Sequence, residues 1–207
     1  MSDSPEFRRS RAHPWHGIDM GSRAPEIVNC FIEMVPTDTV KFEIDKDSGF
    51  LRLDRPQRYS NVCPALYGFV PRTLCDTRVA ERCSPDVVGD QDPVDILVLT
   101  EKSVGHGDIL LEAKPIGGFR MIDNREADDK LVAVLAGDAV FGQINELAGC
   151  PFTLVERLQH YFMTYKTGPH DTRRAVQIVE TYDRSEAQEV IKAAAEDYRA
   201  RFEAAEP

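Results

Sequence analysis

The chain has 207 residues, 42% of them apolar, and a formal net charge of −10 at pH 7. This negative charge opposes nucleic-acid binding, because the affinity of such binding comes largely from Lys and Arg side chains that neutralise phosphates. No apolar run approaches the roughly 18 residues that cross a bilayer, so nucleic acid and membrane are both excluded as predicted partners.

Residues 1–26 are predicted to form a polar N-terminal extension. This stretch contains four arginines and lacks the apolar core of an export signal. The remainder, 27–207, has the length of a single domain. The five cysteines are an odd number without a C-x-x-C pair, which argues against a disulfide framework and favours the reducing cytoplasm.

Short β-type runs dominate the first two thirds of the chain. They are predicted at 27–35, 40–44, 50–53, 66–70, 96–99, 109–112 and 131–135. The sequence Asp45-Lys46-Asp47-Ser48-Gly49 has the chemistry of a hairpin turn, which would set Lys41, Glu43 and Arg55 on neighbouring strands. We expect a mainly antiparallel barrel or sandwich.

Two helices and one further strand are predicted in the last third. Thr153-x-x-Glu156 has the form of a capping box, and apolar residues then recur at helical spacing up to Tyr165. Ser185-x-x-Gln188 is expected to open the second helix, and 176–182 the strand between them. The chain is therefore assigned to the α+β class.

Three carboxylates, Asp90, Asp92 and Asp95, lie directly before the apolar run 96–99. In an extended stretch Asp90 and Asp92 would share a face, and Pro93 would bend Asp95 towards them. At ~5 Å and an effective dielectric near 20, each pair repels by roughly 3 kcal/mol, so a counter-charge is needed. All-oxygen ligands suit Mg²⁺, Mn²⁺ or Ca²⁺. An EF-hand is the rival interpretation, and it fails because Asp95 stands where that loop requires glycine.

A second acidic cluster covers residues 122–130, between apolar runs at 116–121 and 131–134. Alone it is interpreted as a charged hairpin loop, whereas together with the first cluster it could form a multi-metal site. Four cations beside apolar segments, Lys41, Arg55, Lys130 and Lys166, would then suit a phosphate ester or anhydride. The chain has no P-loop and no G-x-S-x-G elbow.

Asp90-Gln91-Asp92-Pro93-Val94-Asp95 resembles the D-x-D-P-x-D signature of the family I soluble inorganic pyrophosphatases. The resemblance spans roughly residues 27–185 and implies a five-stranded OB-like barrel flanked by two helices, with additional short strands. The supporting segments, in the family's order, are Phe31-Ile32-Glu33, Lys41-Phe42-Glu43-Ile44-Asp45, Asp54-Arg55, Tyr67-Gly68-Phe69, Met121-Ile122-Asp123, Asp128-Asp129-Lys130-Leu131, and His160-Tyr161-Phe162 through Tyr165-Lys166.

The resemblance implies Mg²⁺-dependent hydrolysis of pyrophosphate to two orthophosphates. The attack would come directly from a metal-bridged hydroxide, with Asp92 as the general base. Several Mg²⁺ ions are implied, with Mn²⁺ or other divalent ions as alternatives, in a cytoplasmic homo-oligomer. The implied metal ligands are Asp90, Asp95, Asp123, Asp128, Glu33 and Glu43. The implied substrate-binding residues are Lys41, Arg55, Tyr67, Lys130, Tyr165 and Lys166.

Two positions depart from the family pattern. Cys63 stands where many members have a substrate-side tyrosine, and Asn124 replaces a glutamate that often follows the Asp123 equivalent. The alternative function is therefore a catalytically degenerate module that binds divalent cations and phosphate. A third hypothesis, oligonucleotide binding on an OB-like barrel, is opposed by the net charge.

Overall fold

The computed structural model describes residues 11–168, 170–171 and 176–203. The described strands are β1 (Val28–Met34), β2 (Val40–Ile44), β3 (Leu51–Pro56), β4 (Leu66–Phe69), β5 (Val88–Gly89), β6 (Asp95–Leu99), β7 (Ile109–Asp123), β8 (Glu126–Ala127), β9 (Lys130–Leu135) and β10 (Val176–Asp183). The α-helices are α1 (Thr77–Cys83), α2 (Phe152–Thr164) and α3 (Arg184–Tyr198), and a π-helical turn follows at Arg199–Glu203. No helix among the described ranges is long and apolar enough to span a membrane.

Five strands close into a ring. The order is β1-β4-β6-β9-β7, and β7 also pairs with β1. The β6–β9 pair is parallel, and the other four pairs of the ring are antiparallel. This arrangement confirms the predicted α+β fold with a mainly β, OB-like core.

Strands β6 and β9 are apolar on both faces because both faces are covered. Ile96 and Val98 pack in a cluster with residues of α1 and α3, whereas Leu97 and Leu99 point into a second cluster with residues of α2. Successive side chains of a strand alternate between faces. The continuous apolar run 96–99 therefore reflects a barrel wall buried on both sides.

Strand β7 joins two runs that the sequence pattern separates. Its 15 residues include both 109–112 and 116–121. The pairing with β9 shifts register between Pro115 and Gly117, and Gly117 has a φ of +153°. Proline and glycine in a strand interior often mark a bulge. In the sequence, Pro115 and Gly117 instead suggested that one strand ended and another began.

The helix starts differ from the predicted ones. No side chain caps α2, whose N-cap residue is Pro151. The prediction of a capping box at Thr153 is therefore wrong. Helix α3 is capped two residues before Ser185, by Asp183, whose carboxylate accepts from the Glu186 backbone N–H. Helix α1 was not predicted, because only Val79 and Ala80 of its seven residues are buried and two residues cannot establish a helical period.

Gly68 lies where β4 comes closest to β1, opposite Ile32. A Cβ at this position would lie 1.8 Å from the carbonyl oxygen of Phe31 and 2.8 Å from the Cα of Ile32. Both atoms belong to the backbone of the barrel, which cannot move aside locally. We expect Gly68→Ala to lower the free energy of unfolding by about 3 kcal/mol or more, measured by urea denaturation.

The matched control is Gly105→Ala, because a Cβ there would meet nothing within 4 Å. Equal urea midpoints for the two variants would show that the β1–β4 contact is not tight.

Candidate active site

The predicted site residues meet at one end of the barrel. Twelve of the thirteen line a single cleft of about 200 Å³. The exception, Glu33, lines an adjoining cleft of about 380 Å³ that also includes Lys41, Tyr67 and Asp92. The structure therefore brings the two acidic segments and the predicted cations together.

The loop that carries Asp90 and Asp92 is a turn pinned to the body of the protein. Gln91 has a φ of +65°, and the Asp92 backbone N–H donates to Asp90 Oδ1 at 2.9 Å. The Cys75 N–H donates to the Asp92 carbonyl at 2.8 Å, and the Gln91 N–H donates to the Cys75 carbonyl at 3.0 Å. The expectation of an extended Asp90–Asp92 stretch is wrong. A residue in the left-handed region reverses the chain, so the two carboxylates share a wall through a turn.

Barrel register places Lys130 opposite Asp95. The two residues are partners in the parallel β6–β9 pair. The Lys130 ammonium, at a residue only 2% exposed, contacts the carboxylates of both Asp95 and Asp128. The Tyr67 hydroxyl donates to Asp95 Oδ2 at 2.6 Å. Lys130 is thus a buried counter-ion as well as a cation of the cleft wall.

The cleft holds more carboxylates than its cations neutralise. Burial and the nearby Asp128 raise the pKa of Asp90 to about 9. Burial also raises the pKa of Asp95, against the attraction of Lys130. Burial acts upward on Asp128 too, but Lys130 and a hydrogen bond from Asp90 outweigh it and lower its pKa. Without a further cation, burial and the neighbouring Asp128 therefore disfavour the ionised form of Asp90.

The second acidic cluster is a hairpin between β7 and β8. Asp123 pairs with Glu126 across the turn, and Asn124 and Arg125 both have positive φ. Asparagine tolerates this conformation better than most residues. Asn124 Nδ2 also donates to Asp123 Oδ1 at 3.0 Å, and the Lys166 ammonium contacts the other Asp123 oxygen. The second acidic cluster is therefore a charged hairpin loop, as interpreted from the sequence. Its residues Asp123, Glu126 and Asp128 line the cleft.

The β2–β3 hairpin supplies another wall of the cleft, with Lys41, Glu43 and Arg55. Lys41 and Arg55 are register partners, as the turn chemistry at 45–49 predicted. Lys41 contacts the Glu43 carboxylate, and Arg55 contacts Asp54. Both cations of this wall are therefore paired with neighbouring acids at the surface of the cleft.

Glu33 is set apart from the other acids. It is 5% exposed, and its Oε1 accepts the Ile44 backbone N–H at 2.7 Å. Burial, then the neighbouring Asp95, raises its pKa to about 8. One carboxylate oxygen thus joins β1 to β2, which leaves the other for a ligand.

The donor set fits hard divalent cations. Asp90, Asp95 and Asp128 offer only oxygen, and burial together with the neighbouring Asp128 raises the pKa of Asp90, so a cation bound beside them would stabilise the ionised form. Among the described residues no three acidic, histidine or cysteine side chains already converge on one point. Instead, Asp95 and Asp128 converge on the Lys130 ammonium.

Two residues in or beside the cleft were given no site role in the sequence analysis, although they lie in its second acidic cluster and its 45–49 turn. Glu126 lines the cleft beside Asp123, and the Lys46 ammonium contacts Asp92 Oδ1 from the 45–49 turn. A signal for Lys46 existed, because the turn adjoins the strand of Lys41. Cys63 is 1% exposed and burial raises the pKa of its thiol to about 12, so it offers no phenol-like group to the cleft.

The OB-like barrel carries carboxylates, three lysines and an arginine around one cleft, a set of side chains that suits a phosphate ester or anhydride. A family profile described as "Inorganic pyrophosphatase" matches residues 30–199. The chain is 46% identical to the inorganic pyrophosphatase of Chlamydia caviae, over 98% of this chain and 97% of that one. It is 48% identical to that of Chlamydia trachomatis serovar L2, over 91% and 95%. The crystal structure of the Thermus thermophilus inorganic pyrophosphatase superposes with a TM-score of 0.78 at 29% identity, over 91% of this chain and 99% of that one. The chain belongs to the family I soluble inorganic pyrophosphatases.

Proposed function

We propose that this chain hydrolyses inorganic pyrophosphate to two orthophosphates with Mg²⁺ and with Asp92 as the general base. The observation that carries the proposal is the cleft itself, where Asp92 shares about 200 Å³ with carboxylates and with four cations. Both chlamydial relatives are named as inorganic pyrophosphatases, which supports the same substrate here.

The cations of the cleft would bind the substrate. Lys41 and Arg55 come from the β2–β3 hairpin, Lys130 from the start of β9 and Lys166 from the segment after α2. Arginine presents a planar fork to phosphate oxygens and lysine a mobile point charge. The buried Tyr67 and Tyr165 also line the cleft. Four cations around a cleft of about 200 Å³ would suit a small anion with two phosphoryl groups.

The acids that would hold the metal ions are Asp90, Asp95 and Asp128, with Asp123, Glu33 and Glu43 around them. When bound, Mg²⁺ would neutralise phosphate charge and lower the pKa of a coordinated water. Loss of the Asp90 proton would accompany binding, because a carboxylate must be ionised to ligate.

Asp92 is placed to accept a proton from the attacking water. Its side chain is 48% exposed, against 20% for that of Asp95, so water reaches it more readily. Its backbone is held by Asp90 and Cys75, which fixes the position of its Cα. As the P–O bond breaks, Lys and Arg side chains would stabilise charge on the departing phosphate.

We further propose a cytoplasmic homo-oligomer whose catalytic domain is 27–207. All five cysteines are free, as a reducing compartment favours. The homo-oligomer is proposed from the family to which the chain belongs.

Metal removal tests the proposed function. We expect orthophosphate release from pyrophosphate to rise with added Mg²⁺ and to stop with excess chelator, because the acids and Lys130 alone do not replace the ions. ATP should release far less phosphate than pyrophosphate, since the cleft is small. Release that is insensitive to chelator, or equal rates with ATP, would contradict the proposal.

A further inference from the structure

The described part of the N-terminal extension packs against the body of the protein. Residues 11–17, here called the strap, are anchored by Trp15, which is 3% exposed. The indole Nε1–H donates to the Thr73 carbonyl at 2.8 Å, and the Arg72 N–H donates to the Trp15 carbonyl at 3.0 Å. His16 Nδ1 lies 2.7 Å from the Tyr198 hydroxyl. The strap thus has a fixed place on the body.

The strap also contacts the 45–49 turn through His13. His13 Nδ1 faces two donors, the backbone N–H groups of Trp15 at 3.2 Å and His16 at 3.3 Å. Because Nδ1 accepts, the ring hydrogen is on Nε2, which donates to the Lys46 carbonyl at 3.1 Å. The His13 ring therefore links the strap to the turn in one defined tautomer.

Gly49 allows the strap and the turn to come this close. A Cβ on Gly49 would lie 2.9 Å from His13 Cδ2 and 3.0 Å from Pro14 Cδ. Gly49 also has a φ of +72°, a conformation that glycine adopts without strain. Its N–H donates to the Asp45 carbonyl at 2.8 Å, so the turn that carries Lys46 is closed where the strap contacts it.

Lys46 carries the connection into the cleft. Its backbone carbonyl is held by His13, while its ammonium contacts Asp92 Oδ1. Thr73 accepts the Trp15 indole N–H through its backbone carbonyl. Its side-chain Oγ1 accepts the Val94 N–H at 3.0 Å. The strap therefore supports both the turn facing Asp92 and the loop that carries Asp92.

We infer that His13 and Lys46 are positioning residues for the proposed general base, with the strap holding Lys46 where its ammonium orients the Asp92 carboxylate. This inference rests on the proposed function. Asp92 lies at the rim of the cleft with its side chain half exposed, where a free carboxylate would sample several rotamers. A charge-assisted hydrogen bond restricts that freedom. A region that the sequence leaves without a role would thereby act on the reaction.

The kinetic test uses four full-length variants. Lys46→Met removes the ammonium and retains the chain length, and we expect kcat for pyrophosphate to fall about tenfold with KM little changed, as expected for a misplaced catalytic group. His13→Phe keeps a ring beside Gly49 and loses both hydrogen-bonding nitrogens, so we expect a smaller fall in kcat. His13→Gln restores a donor towards the Lys46 carbonyl and should recover much of that loss.

The matched control is Arg23→Ala, which removes a cation from the same extension. The Arg23 guanidinium pairs with Glu112 at 2.8 Å, away from the turn, so kcat should stay at the wild-type value. A rise in KM with kcat unchanged in Lys46→Met would make Lys46 a substrate-binding cation and overturn the positioning role. If kcat falls as much in Arg23→Ala as in Lys46→Met, the effect follows from net charge, and the positioning role of Lys46 is overturned as well.

Hydrogen exchange tests the strap independently of activity. In substrate-free protein, His13→Phe should speed exchange of the Asp45, Ser48 and Gly49 amides, which are hydrogen-bonded within the turn. Barrel amides at 96–99 should exchange as in the wild type. Unchanged exchange in the turn would contradict the link between strap and turn. If the wild type releases no phosphate while the exchange result holds, the proposed function fails and the structural link stands.

Discussion

Asp92→Asn is expected to lower the turnover of pyrophosphate by about 10²- to 10⁴-fold, the usual contribution of a general base. The amide is nearly isosteric with the carboxylate, so the backbone bonds that hold this residue to Asp90 and Cys75 should persist. The amide, however, does not take a proton from water near neutral pH. Steady-state phosphate release at saturating Mg²⁺, together with thermal unfolding, measures the two properties separately.

The control for this change is Asp86→Asn, the same substitution at an exposed position in the loop after α1. It should retain wild-type turnover. A folded Asp92→Asn protein with the turnover of the Asp86→Asn control would remove Asp92 from the role of general base.

Lys130→Met is expected to lower the free energy of unfolding, measured without metal, by about 3 kcal/mol. The substitution leaves Asp95 and Asp128 facing each other at a buried position with no ammonium between them. Proton uptake by one of the two acids will limit the loss. Urea denaturation with and without Mg²⁺ provides the measurement, and Mg²⁺ should restore part of the stability because it binds the folded state.

Lys192→Met offers the comparison for that change. Lys192 pairs with Glu189 on α3 at 2.7 Å and is 54% exposed, so its loss should cost no more than about 1 kcal/mol. If both variants unfold at the same urea concentration, Lys130 does not act as the buried counter-ion of the acidic cluster.

The local features of the fold could be predicted from the sequence. Apolar runs bounded by turn residues located most strands, and the Asp45–Gly49 chemistry predicted the β2–β3 hairpin that the structure contains. Helix starts were harder to predict. Both Asp183 and Ser185 are residues that commonly cap a helix, and the structure uses Asp183. Pro115 similarly suggested a break where β7 only bulges. Such choices depend on partners distant in the chain.

The assembly of the site needed the structure. Asp95 and Lys130 are 35 residues apart and meet only because β6 pairs in parallel with β9. The sequence therefore predicted Lys130 as a substrate-binding cation without its second role between two acids. Glu33 was likewise named as an acid of the site, although its bond to the Ile44 N–H follows from how β1 meets β2.

The N-terminal extension shows the limit of composition as a guide. The segment is mostly polar, so it was predicted as an extension without regard to Trp15, the single tryptophan of the chain. In the structure Trp15 is buried and hydrogen-bonded to Thr73. An isolated large aromatic residue in a polar segment was the available signal, since such a side chain gains most when buried.

Orthophosphate release from pyrophosphate by the purified chain, recorded continuously at saturating Mg²⁺, tests the central claim most directly. We expect rapid release of two orthophosphates per pyrophosphate, at a rate at least about 100-fold above that of Asp92→Asn. Saturable binding of Mg²⁺ and pyrophosphate by the folded protein without release of phosphate would contradict it.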